Sequence, residues 1–432
     1  MIEEKLEKQA AIRQQSQINS ILLFGSEETI NLYDFHISTQ IFEDLFSNSV
    51  SGHIMLRDAG NIVREAGLKG YDRILFVFDY GKEKLVREFF VYSHSTSSNN
   101  VESAEVLNLY FISFPTILSQ HTRLWNAFSG DVKSIVSNVF DNCVRGYIPL
   151  ENTNDIPPAQ TPRISISQTM GNIKFVSAGW TPFETINWLA GRSTCSQTSS
   201  SFFLFYETLK DGFYFESIEK AIYEKNTIEL DRQFVFVYDY FSTGNSYNTI
   251  KEMHVSDLMD TLQGTEDKYL TLWHNDLIYK KIHKHNFDYN TSARPILNST
   301  LLGKIDNSNP FNFNFTNRHN EGNFRAIVKN ESAETHTGFS SYNGTSFARK
   351  YSTLQQLNLM RVTIECFENY NVQVGSVVEL FIPKKKGNNA DESIESLKDS
   401  VLSGRYIVSS KKHNYIVDEA TMELELVKES VL

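Results

Sequence analysis

The sequence predicts a mainly β fold of the α+β class. Aromatic residues make up 13% of the 432 residues, against only 21 Gly and 9 Pro, a composition that favours packed strands over low-complexity chain. Short stretches with alternating apolar and polar residues recur near both ends of the chain. Helical patterns fall mainly in the middle. We therefore expect antiparallel β domains near both ends of the chain, with a mixed α+β segment between them.

Charge and cysteine content exclude several classes of function. The chain has 41 Lys and Arg against 52 Asp and Glu, a net charge of -11. Binding to duplex DNA or to anionic membranes needs clustered cations, so this balance disfavours both, although DNA could still pass through an acidic pore. The three cysteines are far apart and form no CxxC, which argues against a disulfide framework or a cysteine zinc site. No apolar run is long enough for a membrane-spanning helix, and the N-terminus lacks a secretory signal.

The N-terminal part of the chain predicts a small antiparallel barrel or sandwich. Its apolar stretches are short, glycines separate them, and the stretch at 30–37 alternates strictly between apolar and polar residues. The predicted strands are 21–24, 30–37, 53–57, 74–80, 89–94 and 106–112.

The middle of the chain predicts a mixed α+β segment. Apolar residues at helical spacing indicate a helix over 131–142, and a Pro-containing connector follows at 146–170. Thr181, followed by Pro182 and Glu184, has the pattern of an N-cap with a capping box, which starts a helix that ends at Gly191. A β-hairpin over 202–216 comes next, with its turn at 210–212.

The C-terminal part returns to a β pattern. A strand at 234–240 and a short helix near 255–264 precede the stretch 305–347, which lacks periodicity and predicts an extended insertion. A helix over 347–360 leads into the last strands, at 361–367, 377–383, 405–410 and 421–428.

The two ends of the chain share the same order of strands, which indicates an internal repeat. Four strands with polar turns between them occur in each unit, at low identity. The corresponding stretches are 53–57 and 361–367, 74–80 and 377–383, 88–95 and 405–413, and 107–113 and 422–429.

No pattern of catalytic residues stands out. Nucleotide-binding, nucleophile-elbow and zinc-protease motifs are all missing. Glu365 and Glu368 could be the acid and base of a glycosidase, but a strand-end residue and a turn residue explain them as well. The sequence predicts no catalytic residue and no cofactor, so we expect a protein that is not an enzyme.

Histidine and lysine clusters also have structural interpretations. His283 and His285 lie on one face of a predicted strand and His274 lies upstream, but no third ligand has a zinc-like spacing. Exposed strand histidines are preferred, and no metal site is predicted. The lysines at 384–386 indicate a solvated turn.

The order of elements resembles the central baseplate hub protein of contractile-tailed, T-even-like phages. It is also similar to the related hub portion of the VgrG proteins of type VI secretion. The resemblance is carried by WTPFETINWLAGR at 180–192, by the strand–turn–strand at 202–219, and by the helix and strands over 347–427.

The resemblance implies two tandem tube-type barrels with α+β insertion domains. An N-terminal helical arm would span residues 1–20 and the first barrel residues 21–122. The insertion domain would comprise 123–230 and 263–347. The second barrel would comprise 231–262 and 348–432.

It further implies a homotrimeric ring with pseudo-sixfold order in the virion tail baseplate, assembled in the host cytoplasm. Such a ring adapts the hexameric tail tube to a separate trimeric central spike protein and forms part of the DNA channel. Its other partners would be tube-initiator and surrounding baseplate proteins. The alternatives are a receptor- or glycan-binding β-protein of the tail, suggested by the aromatic content, and a cell-wall or polysaccharide hydrolase.

Overall fold

The structure is a computed structural model. It describes residues 17–25, 29–58, 62–70, 72–80, 83–98, 105–144, 147, 159–197, 201–221, 234–238, 248–256, 269–276, 281–288, 323–328, 350, 354, 357, 360–384, 399, 402–416 and 419–428. Within these ranges, every helix is too short or too polar to cross a membrane.

Strands dominate the described chain. They are β1 (Gln17–Phe24), β2 (Thr29–Asn31), β3 (His36–Asp44), β4 (Ser51–Asp58), β5 (Asp72–Tyr80), β6 (Glu83–Ser98), β7 (Glu105–Ser113), β8 (Ala127–Asp131), β9 (Ile164–Ile166), β10 (Asn172–Val176), β11 (Phe203–Thr208), β12 (Gly212–Ser217), β13 (Val235–Val237), β14 (Glu252–Val255), β15 (Tyr269–Asp276), β16 (Lys281–Asp288), β17 (Asn323–Val328), β18 (Met360–Phe367), β19 (Val377–Phe381), β20 (Gly404–Ile416) and β21 (Glu419–Lys428). The α-helices are α1 (Ile62–Glu65), α2 (Phe114–His121), α3 (Val132–Val144) and α4 (Pro182–Ala190).

One 13-stranded sheet contains strands from both ends of the chain. Its order is β14-β18-β21-β20-β3-β4-β7-β6-β5-β1-β2, with β19 on β20 and β13 on β19. The two halves meet where β20 pairs antiparallel with β3, from Ser410 opposite Asp44 to Ile416 opposite Ser38. We call this strand pair the seam.

Each half of the sheet covers its own hydrophobic core. The N-terminal core is aromatic, with the rings of Phe76 and Phe89 each 5.0 Å from that of Phe111. The C-terminal core is mostly aliphatic and includes Val362, Leu424 and Tyr406. Each fully buried large apolar side chain stabilises the fold by roughly 1.5–3 kcal/mol, so each core stabilises the strands of its own half of the sheet.

The repeat is visible in the strand order. β4, β7, β6 and β5 are neighbours in that order in one half, and β18, β21, β20 and β19 in the other. The third strand of each unit carries a bulge at the corresponding place, between Val91 and Ser93 in β6 and between Val408 and Ser410 in β20. The three pairings within each unit are antiparallel in both units, so the repeated order of strands in the sequence corresponds to a repeated ladder of paired strands.

The mixed segment forms a separate core around two helices. α3 and α4 bury Val136, Phe140 and Ile186 against the strands β10, β11 and β12. The predicted capping box of α4 is confirmed: the Glu184 amide donates to Thr181 Oγ1 at 3.1 Å, and the Thr181 amide donates to Glu184 Oε2 at 2.7 Å. These two bonds satisfy amides that the first helical turn leaves free.

Several sequence-based expectations need correction. The stretch 30–37 is not one strand, because the Tyr33 amide donates to Asn31 Oδ1 and starts a 3-10 turn between β2 and β3. The connector at 146–170 contains β9, which pairs in parallel with β12. The stretch 305–347 contains β17, which pairs in parallel with β15. The strands β8 and β10 and the helix α2 were not predicted. The helical arm predicted for 1–20 is wrong for 17–20, which lie in β1, and the helix predicted near 255–264 is wrong for Val255, which ends β14. Residues 1–16 and 257–264 lie outside the described residues.

The close approach of β3 and β7 to Gly52 gives a first prediction. A Cβ at Gly52 would lie 2.6 Å from Phe111 Cζ and too close to the carbonyl oxygen of Gln40. We expect Gly52→Ala to lower the free energy of unfolding by about 2 kcal/mol in a urea titration, because the added methyl group would force Phe111 and the β3 backbone out of their packed positions. Ser51→Ala, on the other face of β4, is the control and should change it by less than about 0.5 kcal/mol. Equal values for the two variants would contradict this packing.

Candidate functional site

Four charged side chains are buried together on the core side of the seam. Glu43 lies on β3, Lys411 and His413 lie on β20, and Glu368 directly follows β18. We call these four residues the seam network. They bring together the two halves of the sheet and the turn between β18 and β19, so the network lies where the fold is joined.

Strand alternation places these charges inside. Lys411 and His413 are two residues apart on β20, so both point to the same face, and Lys411 is directly opposite Glu43. The intervening Lys412 points to solvent. The pattern Lys-Lys-His therefore contains two buried cations and one exposed cation.

The Lys411 ammonium has three hydrogen-bond partners. Its Nζ donates to Glu368 Oε1 at 2.8 Å, to the Asn369 carbonyl at 2.9 Å and to the Val372 carbonyl at 2.8 Å. An ammonium group has three N–H donors, and all of them are used here. Lys411 therefore holds the turn after β18 in place, in addition to pairing with a carboxylate.

The His413 imidazole lies between two carboxylates. Nε2 is 2.9 Å from Glu43 Oε1, and Nδ1 is 3.1 Å from Glu368 Oε2. When both ring nitrogens carry protons, the four side chains contain two negative and two positive charges. A neutral imidazole would leave one buried negative charge without compensation, which favours the imidazolium form.

The pKa directions agree with this charge balance. Burial would raise the pKa of Glu368, but the charges of His413 and Lys411 and their hydrogen bonds overcome burial and lower the pKa to about 2. Burial would lower the pKa of His413, but Glu368 and the hydrogen bonds to both carboxylates raise it above its ordinary value. Glu368 thus stabilises the fold above pH 4.5, and this contribution is lost as the pH falls toward 2.

The hairpin formed by β11 and β12 connects to the same region. The Leu209 amide donates to Glu43 Oε1 at 3.0 Å. Glu207 is buried in a second ion pair, in which Arg87 Nη2 donates to Glu207 Oε1 at 3.0 Å. The Val50 amide donates to Glu207 Oε2 at 2.8 Å. The mixed α+β segment is therefore attached to the N-terminal half of the sheet through buried polar contacts.

The solvent side of the sheet carries an uninterrupted row across the seam. Cα registers place Glu252 opposite Glu365, Glu365 opposite Glu423, Glu423 opposite Lys412 and Lys412 opposite Phe42. Glu252, Glu365 and Glu423, which we call the acidic row, lie side by side in neighbouring strands of the C-terminal half. Their carboxylates repel one another, which lowers the stability of the fold.

An aromatic row continues on the N-terminal half of the same face. The ring of His53 lies 6.1 Å from that of Phe42 and 5.8 Å from that of Tyr110, which is 6.4 Å from Tyr92. Phe42 and Tyr92 are 38% and 53% exposed, respectively. The row crosses β3, β4, β7 and β6.

The residues considered for catalysis or metal binding are not brought together as a site. Glu365 lies on the solvent side of the sheet, whereas Glu368 is buried on the core side beside Lys411 and His413, so the two do not flank a substrate cleft. The register of β15 and β16 places His274 opposite His283 and Leu272 opposite His285. No group of three metal-ligating side chains occurs among the described residues. Of the lysines at 384–386, only Lys384 is among the described residues.

The seam network itself was not anticipated. Its sequence signal is the phase of alternation on β20, where Lys411 and His413 occupy the same face as Tyr415. Cations in an inward phase predict buried carboxylate partners. Glu43, however, is 370 residues away from His413 in the chain, and only the strand order brings the two together.

No protein-family model matches the sequence, and no curated protein matches it either. A tail protein from Neisseria meningitidis MC58 superposes with a TM-score of 0.54 at 9% identity, over 95% of this chain and 97% of that chain. The 43 kDa tail protein of prophage MuSo2 from Shewanella oneidensis gives the same TM-score and identity, over 95% and 98%. A type VI secretion component of E. coli gives 0.43 at 8% identity, over 96% and 77%.

The chain has the fold of phage tail proteins. The resemblance to tail hub proteins found in the sequence is confirmed at the level of the fold, as is the mainly β, α+β class. The match extends over almost the whole of both tail proteins.

The seam network leads to a prediction about stability. Lys411→Met removes a buried cation and leaves Glu368 and two carbonyls without a donor, so we expect the free energy of unfolding to fall by about 3–5 kcal/mol in a denaturant titration. Lys412→Met is the matched control on the exposed face, where the contact to Glu423 Oε2 is 3.4 Å. An exposed pair contributes less than about 1 kcal/mol. Similar losses in both variants would show that the network does not hold the seam.

The histidines give a prediction about pH. Burial lowers the pKa of His36 to about 4, and burial together with the charge of Lys412 lowers that of His53, whereas that of His413 is raised above 6.5. Histidine NMR titration should therefore show the pKa order His36, His53, His413. Because the folded pKa of His413 is raised, its stabilising contribution is complete below pH 6.5 and is lost as the pH rises through that folded pKa. An imidazole at His413 that is neutral at pH 6 would contradict the charge balance of the seam network.

Proposed function

We propose that this protein is the structural hub of a phage tail baseplate, assembled as a homotrimeric ring. The observation that carries this proposal is the pair of four-strand ladders with the same order, joined edge to edge by the seam within one sheet. A chain with two equivalent modules gives six modules in a trimer. Such a ring can contact a sixfold tail tube on one side and a threefold spike protein on the other.

The proposed domains follow this repeat. The first tube-type barrel would span residues 21–122 and the second 231–262 with 348–432. The insertion domain would comprise 123–230 and 263–347, and residues 1–16 would form an N-terminal arm, because 17–20 lie in β1 and join the first barrel. In support, β13 and β14 pair with β19 and β18, so the described strands of 231–262 contribute to the same half of the sheet as the C-terminal strands.

The acidic row supports a channel-lining role for the solvent side of the sheet. One face of the sheet packs on the two cores, and the other carries Glu252, Glu365 and Glu423 in register. In a closed ring, we propose that this face lines the DNA channel, where carboxylates would repel the phosphates of passing DNA and prevent it from adhering. The protein would then act without catalysis, in contact with tube or tube-initiator proteins, the spike protein and surrounding baseplate proteins.

The ring predicts a defined mass and shape. Light scattering of the purified protein should give three times the chain mass of 49.6 kDa, and negative-stain averages should show a ring with an open centre. A stable subunit interface of this kind buries about 2000 Å² or more. If the protein stays monomeric, even with its tube and spike neighbours, the hub proposal is wrong. Polysaccharide binding by such a monomer, lost on mutation of Trp125, which is 74% exposed, would favour the glycan-binding alternative.

A further inference from the structure

Two strand edges of the sheet that have no partner among the described residues are complementary within the internal repeat. β6 is paired with β5 only as far as Val91, which is opposite Asp72. Its last part, residues 93–98, continues along β7 on one edge, from Ser93 opposite Tyr110 to Ser98 opposite Glu105. On the other edge of residues 93–98, the described part of the chain provides no strand. At the far end of the same sheet, β14 pairs with β18 on one edge, and no described strand lies on the other.

The repeat shows what the free edge of β6 corresponds to. The bulges between Val91 and Ser93 and between Val408 and Ser410 align β6 with β20. β20 pairs with β19 along one edge as far as Ile407, and with β3 along the same edge from Ser410 onward. Residues 93–98 are therefore the counterpart of the β20 edge that forms the seam.

The repeat also shows what β14 corresponds to. The residues after the two bulges are opposite Tyr110 on β7 and Glu425 on β21, so these two are equivalent. One strand further on, Tyr110 is opposite His53 on β4, and Glu425 is opposite Thr363 on β18. The next step places His53 opposite Gln40 on β3, and Thr363 opposite His254 on β14. β14 therefore occupies the position in the C-terminal half that β3 occupies in the N-terminal half. Its free edge is the counterpart of the β3 edge that forms the seam.

We infer that the free edge of β6 in one copy pairs antiparallel with β14 of the next copy. This inference rests on the proposed ring and names the strands that close it. Within the seam, Asn414 is opposite Gln40. Ser97 is equivalent to Asn414, and His254 is equivalent to Gln40. The pairing between copies therefore places Ser97 opposite His254 of the neighbouring copy, and Thr96 opposite its Val255. Six seams then join the ring, three within chains and three between copies.

The chemistry of the β6 edge supports a strand as its occupant. Residues 92–97 are all exposed, and the segment 93–98 reads Ser-His-Ser-Thr-Ser-Ser, without the Pro or Lys that usually protect a free edge. An unprotected edge with free backbone donors and acceptors is a template for a further strand. A second copy is the occupant that the structure supports, because each chain carries the counterparts of both strand edges that already pair in its own seam. A head-to-tail contact of this kind closes into a ring.

Engineered disulfides test the register. The double variant Thr96→Cys with Val255→Cys brings the two thiols opposite each other only between copies, and oxidation should yield a covalent trimer on a non-reducing gel. The control Ser95→Cys with Val255→Cys is shifted by one residue, which turns the first thiol to the other face. We expect about tenfold more covalent trimer from the matched pair. The native thiols are buried, and burial raises the pKa values of Cys143 and Cys366, which keeps them from competing.

Two measurements on the unmodified protein separate this inference from the hub proposal. Light scattering reports whether the trimer forms, and hydrogen exchange reports whether amides of residues 93–98 and 252–255 become protected in the trimer. A trimer in which these amides remain unprotected, or in which the shifted pair cross-links as well as the matched pair, overturns the strand pairing and leaves the hub proposal intact. A protein that never forms a trimer overturns both.

Discussion

A lysine and a histidine are held between two carboxylates at the place where the two halves of the sheet meet. Burying each of these ions costs several kcal/mol, and only the paired geometry offsets that cost. This arrangement adds polar contacts to the apolar packing across the seam, where Tyr415 of β20 lies in the N-terminal core with its ring 5.5 Å from that of Phe78. The seam network ties both strands, and the turn after β18, to one set of partners.

The network solves a register problem that hydrophobic alternation cannot solve. A slip of one residue between β3 and β20 would turn the buried face outward, and the cores would oppose it. A slip of two residues would keep every side chain on its own face, so apolar packing alone would discriminate poorly against it. In one direction, such a slip would place His413 opposite Thr39 instead of Ile41, separate it from Glu43 and leave that carboxylate buried without its cation. The contact between His413 and Glu43 therefore favours the observed register over that slip, while the two cores supply the stability.

The sequence was informative wherever a local rule determines the structure. Period-2 stretches located the strands of both halves, and Thr181 with Glu184 fixed the start of α4. The shared order of strands anticipated two equivalent ladders. Short elements such as β8, β9 and β10 were missed because three to five residues carry too little periodicity. The 3-10 turn at Tyr33 was missed because an Asn side chain, rather than a change in alternation, interrupts the strand. The seam network could not be assembled, since Glu43 and His413 become neighbours only through the strand order.

The two kinds of seam differ in chemistry, and the difference fits the order in which a ring must be built. The seam within the chain is closed once, during folding, so a buried ion network that cannot be hydrated without opening the core is suited to it. The end of β6 carries hydroxyls and one histidine in an exposed segment, residues 92–97, so water can satisfy its backbone groups before a second copy arrives. Exchanging those water contacts for strand pairing leaves no buried charge unpaired at any stage. A lysine and a carboxylate at the same positions on the free edges would instead have to be desolvated on every encounter, which would slow assembly and favour separated subunits.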